Sequence, residues 1–235
     1  MTRQHTALFG WVLAIATAAV FTVLGTWQLQ RKHEKQDLLA QVPSTKTAAV
    51  TLAEAMRSPD ALHWIDDRLR FLPCTVLLDN QLRDGRAGIK VYQPARADTG
   101  QVVLVDLGWL PLPPDRALPA LVAQQGALEL RGLWAPAPSA GIALGPAMAP
   151  VSQPQTWLAT RIDLPAIAAQ LGLAEAELAP RVLRLDPALS LGYARDLDLL
   201  PNTLPPSRHL GYAVQWFAMA LAVLLIATLL QWRRR

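Results

Sequence analysis

His209, Tyr212, Ala213 and Trp216 stand at i, i+3, i+4 and i+7, so on a helix they form one stripe. An imidazole with two aromatic rings at the mouth of an apolar helix can ligate a haem iron through a ring nitrogen, the rings flanking the apolar macrocycle. The stripe has a second reading. Tyrosine and tryptophan gather at membrane interfaces in any case, and a histidine beside them can hydrogen-bond to lipid headgroups. A separate group, Gly25, Trp27, Gln28, Arg31 and Lys35, puts Trp27, Arg31 and Lys35 on one helical face at intervals of four. There the plain reading is an aromatic anchor with cations that snorkel to lipid phosphates.

Other chemistry finds little support. The 235 residues include a single cysteine, Cys74, which excludes an intramolecular disulfide and any paired-thiol metal or redox site within one chain. There is no G-x-S-x-G, G-x-x-x-x-G-K-[ST], H-E-x-x-H or G-x-G-x-x-G, so hydrolase, nucleotide and zinc-protease readings lose their basis. The four histidines, His5, His33, His63 and His209, include no i, i+4 pair. Asp66 and Asp67 would point to opposite faces of a strand, and a solvated turn is the reading favoured over acid/base catalysis. Asp79, Asn80 and Asp84 surround an expected tight turn, where such side chains bond to the backbone and do not gather a metal.

The elements that must position these residues begin with the two ends. Composition is 52% hydrophobic against 17% charged, which excludes disorder and points to membrane residence. No charge occurs from Thr6 to Gln30 or from Leu210 to Gln231, and a span needs about 20 apolar residues for a hydrocarbon core of about 30 Å. Trp11 and Trp27 bracket the first run, and Trp216 and Trp232 the second, each pair about 24 Å apart on a helix. A cleavable signal peptide, with Arg3 as basic start and Ala16-Thr17-Ala18 as cleavage site, competes for the first run, but the apolar stretch continues past that site to Leu24. The net charge of +4 includes Arg233, Arg234 and Arg235, a membrane-flanking triplet and not a nucleic-acid patch. That triplet places both termini in the cytoplasm. The Arg31, Lys32 and Lys35 cluster opposes this locally.

The intervening residues read as one mostly β domain with a few short helices. Phe71–Leu78, Ile89–Tyr92, Val102–Leu107 and Leu128–Trp134 are predicted strands, and Val102–Val105, apolar on both faces, is expected to be central in its sheet. Thr51 and Glu54 form a predicted capping box, Asp163 caps a helix that stops at Gly172, and Pro136–Pro154, with five prolines, reads as a loop.

The motif G-x-W-Q-x-x-R-x-x-x-K over Gly25–Lys35, together with His209-Leu210-Gly211-Tyr212-Ala213-Val214-Gln215-Trp216-Phe217, resembles the surfeit locus protein 1 family of cytochrome c oxidase assembly factors. Leu77-Leu78-Asp79-Asn80, Asp84-Gly85-Arg86 with Gly88, Pro94, and Val105 through Gly108-Trp109-Leu110-Pro111 follow in the family's order. Two departures stand out: Asp106-Leu107 replaces the family's usual Asn-Arg pair, and a glycine expected shortly before Phe71 is missing. With no nucleophile and base pair readable, no enzyme activity is expected; the resemblance implies a bacterial inner-membrane location and two transmembrane helices flanking one β-rich (α+β) domain. The expected boundaries are 1–6 cytoplasmic tail, 7–29 first span, 30–207 periplasmic domain, 208–231 second span and 232–235 basic cytoplasmic tail. It also implies transient haem a binding at His209; on physical grounds His209 is then expected as axial ligand, with Tyr212, Trp216 and Trp27 lining the site and Arg31 or Lys35 pairing with propionates or lipid phosphate. The implied partners are the oxidase catalytic subunit, the haem a synthesis machinery and membrane lipids, with no nucleic acid. The alternative is a cofactor-free scaffold gripping a nascent oxidase subunit, for which the domain surface around Trp109 would matter most.

Overall fold

The computed structural model describes residues 3–140, 145–197 and 204–233. Residues 1–2 of the expected tail, 141–144 of the expected loop, and Arg234 and Arg235 of the basic triplet lie outside the described residues. The chain divides into two compact units, a pair of terminal helices (residues 1–41 with 203–235) and a sheet unit (residues 42–202).

In the helical unit, α1 runs from Arg3 to Ala40 and α4 from Pro206 to Arg233. Both contain stretches long and apolar enough to cross a membrane, Leu8–Asp37 and Pro206–Arg233. Their threonines satisfy their hydroxyls internally, Thr22 Oγ1 donating to the Ala18 carbonyl and Thr228 Oγ1 to that of Leu224, both at 2.8 Å. Large apolar side chains such as Leu8, Phe9, Val23, Val214, Leu221 and Ile226 are exposed, whereas the core helix of a soluble protein would bury them. Apart from His209, the buried positions among the described residues are small: Ala14, Ala18 and Gly25 on α1, and Ala213 and Ala220 on α4. Small residues let helix backbones approach closely where lipid removes the hydrophobic drive to associate. At Gly25 the approach is at its limit, since an added Cβ would lie 2.7 Å from the Phe217 ring. One turn away, the Phe21 and Trp216 rings pack at 5.6 Å between centroids. The helix that carries the first apolar run continues past residue 29 to Ala40.

In the sheet unit, eight strands follow in chain order: β1 His63–Phe71, β2 Thr75–Arg83, β3 Arg86–Ala97, β4 Val102–Pro111, β5 Ala127–Ala135, β6 Met148–Pro150, β7 Thr156–Ala159 and β8 Leu178–Leu185. They form one mixed sheet ordered β1-β5-β8-β4-β3-β2-β7-β6, with β2–β7 and β4–β8 parallel. On the edge away from β4, β3 pairs β2 through Arg86–Tyr92 and then β1 through Ala95–Ala97. This double duty closes β1, β5, β8, β4 and β3 into a ring and removes the open edges of those strands. The β2–β3 hairpin turns on Asp84 and Gly85, both at positive φ (50° and 74°), as a two-residue type I′ turn requires.

As the pattern predicts, β4 is central. Its alternate residues feed two separate cores: Val103, Val105 and Leu107 join Leu69, Leu130 and Trp134, while Val102 and Leu104 join Val76, Ile167 and Val182. The capping box at Thr51 and Glu54 forms before α2 (Leu52–Ala55), and Asp163 caps α3 (Leu164–Gln170) by accepting from Ala166 N at 3.1 Å.

Four expectations need correction. The run Phe71–Leu78 is broken, because Pro73 has no N–H for a ladder and the chain turns between β1 and β2. Asp66 and Asp67 lie within β1, with Asp67 Oδ2 accepting from Leu52 N at 2.9 Å, so they do not form a turn. Asp79 and Asn80 sit at an irregularity in β2, where Asn80 takes φ 56°, while the turn itself belongs to Asp84 and Gly85. The loop expected over Pro136–Pro154 also contains β6.

Burial pushes the Cys74 thiol up to about 11. An unfolded thiol ionises near pH ~8.5, so the unfolded chain binds fewer protons than the folded one between there and about pH 11, and stability falls as pH rises through that window. Raising the pH from 8 to 10.5 is therefore expected to lower the stability of the wild type by roughly 2 kcal/mol more than that of Cys74→Ala, read by thermal unfolding in detergent. In the helical unit, Gly25→Val is expected to destabilise by about 1–3 kcal/mol through overpacking, with Phe217→Ala in the same chain recovering most of the loss, read in the same assay.

Candidate functional site

His209 sits in the first turns of α4 and is only 8% exposed. Its Nδ1 lies 2.7 Å from Oε1 of Gln28 on α1. A carboxamide oxygen can only accept, so Nδ1 carries the proton, and in the neutral ring Nε2 keeps its lone pair. Nε2 is buried and has no hydrogen-bond partner among the described residues. A neutral imidazole with one nitrogen anchored and the other bearing a free lone pair is the arrangement from which histidine binds a metal.

The remaining predicted residues are placed around this pair to different degrees. Trp216 is half-buried against Phe21, and Tyr212 is 39% exposed one turn from His209. Trp27 is 50% exposed; the residue of α1 that meets His209 is its neighbour Gln28, about 100° further round the helix. Arg31 and Lys35 are both close enough to act electrostatically on the His209 ring. Arg31 Nη1 holds Glu34 at 2.9 Å, and Lys35 Nζ donates to the Leu204 carbonyl at 2.5 Å. At the far end of the helix pair, a crevice of about 320 Å³ between Trp11, Ala14 and Thr17 on α1 and Ile226 and Ala227 on α4 has no titratable group in its lining.

The sheet unit has a polar centre of its own. The register sets Asp106 of β4 directly opposite Arg184 of β8, and β3 brings Lys90 alongside. Asp106 Oδ2 lies 3.1 Å from Lys90 Nζ and 3.7 Å from Arg184 Nε, while Oδ1 accepts from Gly108 N at 3.0 Å. All three charged side chains are buried. Gly108 is required here, because its φ is 111° and a Cβ would fall 2.8 Å from the Tyr193 carbonyl. Tyr92 is buried beside Asp106, and desolvation first, then the carboxylate, push its hydroxyl well above its ordinary value. A cavity of about 210 Å³ opens over this cluster, lined also by Arg83, Trp109, Arg195 and Asp196. Trp109 is 7% exposed and donates from Nε1 to the Gln81 carbonyl at 2.9 Å, so it is a buried member of the fold, not a surface contact.

The sequence pattern that describes the SURF1 family matches residues 15–221. The chain belongs to the SURF1 family. The match takes in most of α1, the whole sheet unit, and α4 beyond His209, Tyr212 and Trp216. A SURF1-like protein of Monosiga brevicollis is 29% identical over 143 residues, covering 52% of this chain and 53% of that protein. The chain thus spans about half the length of the curated relative it matches. The SURF1 family is known for cytochrome c oxidase assembly and is a family of assembly factors, not of catalysts. With the two membrane-length helices, SURF1 membership associates the chain with the membrane.

Sequence reasoning placed Gln28 in a motif without giving it a partner, because nothing in a sequence says which residue of α1 faces which residue of α4. It also missed the Lys90, Asp106 and Arg184 cluster. The signal was present: a carboxylate in a strand otherwise apolar on both faces is buried, and a buried carboxylate must be paired. Asp106→Ala is expected to leave Lys90 and Arg184 without their shared carboxylate and to destabilise the sheet unit by about 3–5 kcal/mol, measured by thermal unfolding of the full chain in detergent.

Proposed function

We propose that this chain aids the assembly of a haem-copper cytochrome c oxidase by carrying haem a to, or helping insert it into, the catalytic subunit, with His209 as a transient axial ligand. The observation that carries this reading is the His209 ring itself: buried between two membrane-length helices, proton fixed on Nδ1, lone pair on Nε2. A buried acceptor left unsatisfied costs about 1–3 kcal/mol, and coordination to iron would relieve that cost. Because Nε2 is covered, loading must displace the side chains over it, which suits a carrier that takes its cargo and releases it again.

Haem a joins a flat macrocycle with charged propionates to a long apolar tail, so its carrier needs apolar walls, cations and an iron ligand. Tyr212 and Trp216 supply rings on the His209 stripe, and Trp27 supplies an exposed ring on the neighbouring helix. Arg31 and Lys35 are the cations near the ring, and each must leave its present partner to meet a propionate. In this reading the helices cross the bacterial inner membrane, both termini are cytoplasmic, and the sheet unit is periplasmic. The partners are the oxidase catalytic subunit, the machinery that makes haem a, and the surrounding lipid.

The test is a visible spectrum of detergent-purified protein from cells that make haem a, wild type beside His209→Ala. A haem a spectrum in the wild type, reduced at least tenfold in the variant, is the expected outcome. Equal haem in both proteins removes His209 as the ligand. No haem in either, with oxidase activity still lost on gene deletion, turns the reading to a cofactor-free scaffold.

A further inference from the structure

We propose that Gln28 is a positioning residue for haem: its carboxamide oxygen holds the proton on Nδ1 of His209 and so fixes Nε2 as the coordinating atom. The inference rests on the haem-carrier reading, but its physical core is a property of the helix pair alone.

Three observations carry it. The oxygen of the Gln28 amide faces Nδ1 at 2.7 Å, a short contact for a neutral pair. Nε2 is buried with no hydrogen-bond partner among the described residues, so none of them pulls the ring into the other tautomer. Gln28 and His209 lie on different helices, so the bond also fixes the rotation of α4 about its axis relative to α1 at this level.

Histidine ligands to metals generally donate their second N–H to a carbonyl or carboxylate, which orients the ring and raises its basicity. A glutamine is the neutral form of that device. It sets the tautomer without adding a charge to an apolar site, where an unpaired carboxylate would carry a large desolvation penalty. Each group that faces the ring has a separate part: Gln28 holds Nδ1, while Arg31 and Lys35 bring positive charge and are directed to Glu34 and the Leu204 carbonyl. The carboxamide oxygen is the contact that selects between the two neutral tautomers.

A bond between helices could serve packing alone, so the test reads the ring and not only the fold. Full-length protein labelled with ¹⁵N-histidine is compared with Gln28→Leu and Gln28→Glu in detergent, the His209 signals being assigned by their loss in His209→Ala. The wild type is expected to show Nδ1 protonated and Nε2 bare. Gln28→Glu keeps that pattern, because its carboxylate still accepts, and Gln28→Leu loses it in favour of the Nε2–H form. Protonated Nε2 in the wild type, or an unchanged pattern in Gln28→Leu, overturns the proposal.

A second measurement uses the same proteins isolated from cells that make haem a. Gln28→Leu should retain at least tenfold less haem. Gln28→Glu should keep its haem and shift the reduction potential negative, since a carboxylate draws the Nδ1 proton and makes Nε2 a stronger donor. An unchanged potential in Gln28→Glu assigns Gln28 to packing only and overturns the proposal. The two failures separate cleanly. If His209→Ala retains haem, the carrier reading falls while the nitrogen signals still decide whether Gln28 governs the ring. If His209→Ala loses haem but the tautomer ignores Gln28, the carrier reading stands and the positioning role falls.

Discussion

Inside hydrocarbon, two apolar helices gain nothing by hiding their leucines from one another, because lipid tails are as apolar as the side chains. Association then depends on close packing and on whatever polar groups the helices share. In this chain the small residues Ala14, Ala18, Gly25, Ala213 and Ala220 supply the packing, and the bond between Gln28 and His209 supplies the shared polar contact. The polar pair is also what makes the seam chemically distinctive. A helix pair held only by alanine and glycine would be an anchor, whereas one that buries an oriented imidazole beside two cations has the parts of a ligand site.

The sheet unit solves a different problem. Closing its ring requires one strand to serve two neighbours along a single edge, and the twelve residues of β3 are long enough to do so. Closure leaves β4 with cores on both sides, which is why its apolar residues do not alternate with polar ones. Asp106 is the exception in that strand. Its carboxylate ties β3 and β8 to β4 by charge where the neighbouring positions do so by packing.

Much of this was legible in the residues. Two charge-free ends implied membrane-length helices, and two-sided hydrophobicity implied the central place of β4. Asp84-Gly85 and the capping residues Thr51 and Asp163 act locally, so short-range rules found them. β1 escaped notice because its outward positions are charged, as in His63-Trp64-Ile65-Asp66-Asp67-Arg68, and the charges resemble a loop. β8 was missed because Pro180 argues against a strand, and β6 and β7 are too short to show a period. At the site, the stripe of His209, Tyr212 and Trp216 followed from helical spacing. Its partner Gln28 did not, since pairing between elements 181 positions apart is a tertiary fact.

The carboxylate of Asp106 has a consequence for how sequences of this family can diverge. Asp106 faces two buried cations, and half-exposed Asp196 also reaches Arg184 at 3.9 Å, so these positions are not independent. An asparagine in place of Asp106 would remove the carboxylate that faces Lys90 in a buried setting. A chain with that asparagine is expected to carry an uncharged residue in place of Lys90, since Arg184 keeps Asp196. Leu107, 2% exposed in the opposite core, adds a second constraint, because an arginine there would need that core to open to water or to supply an acid of its own. Changes at Asp106 and Leu107 are therefore expected to travel with changes on β3, β8 and the first core as a set.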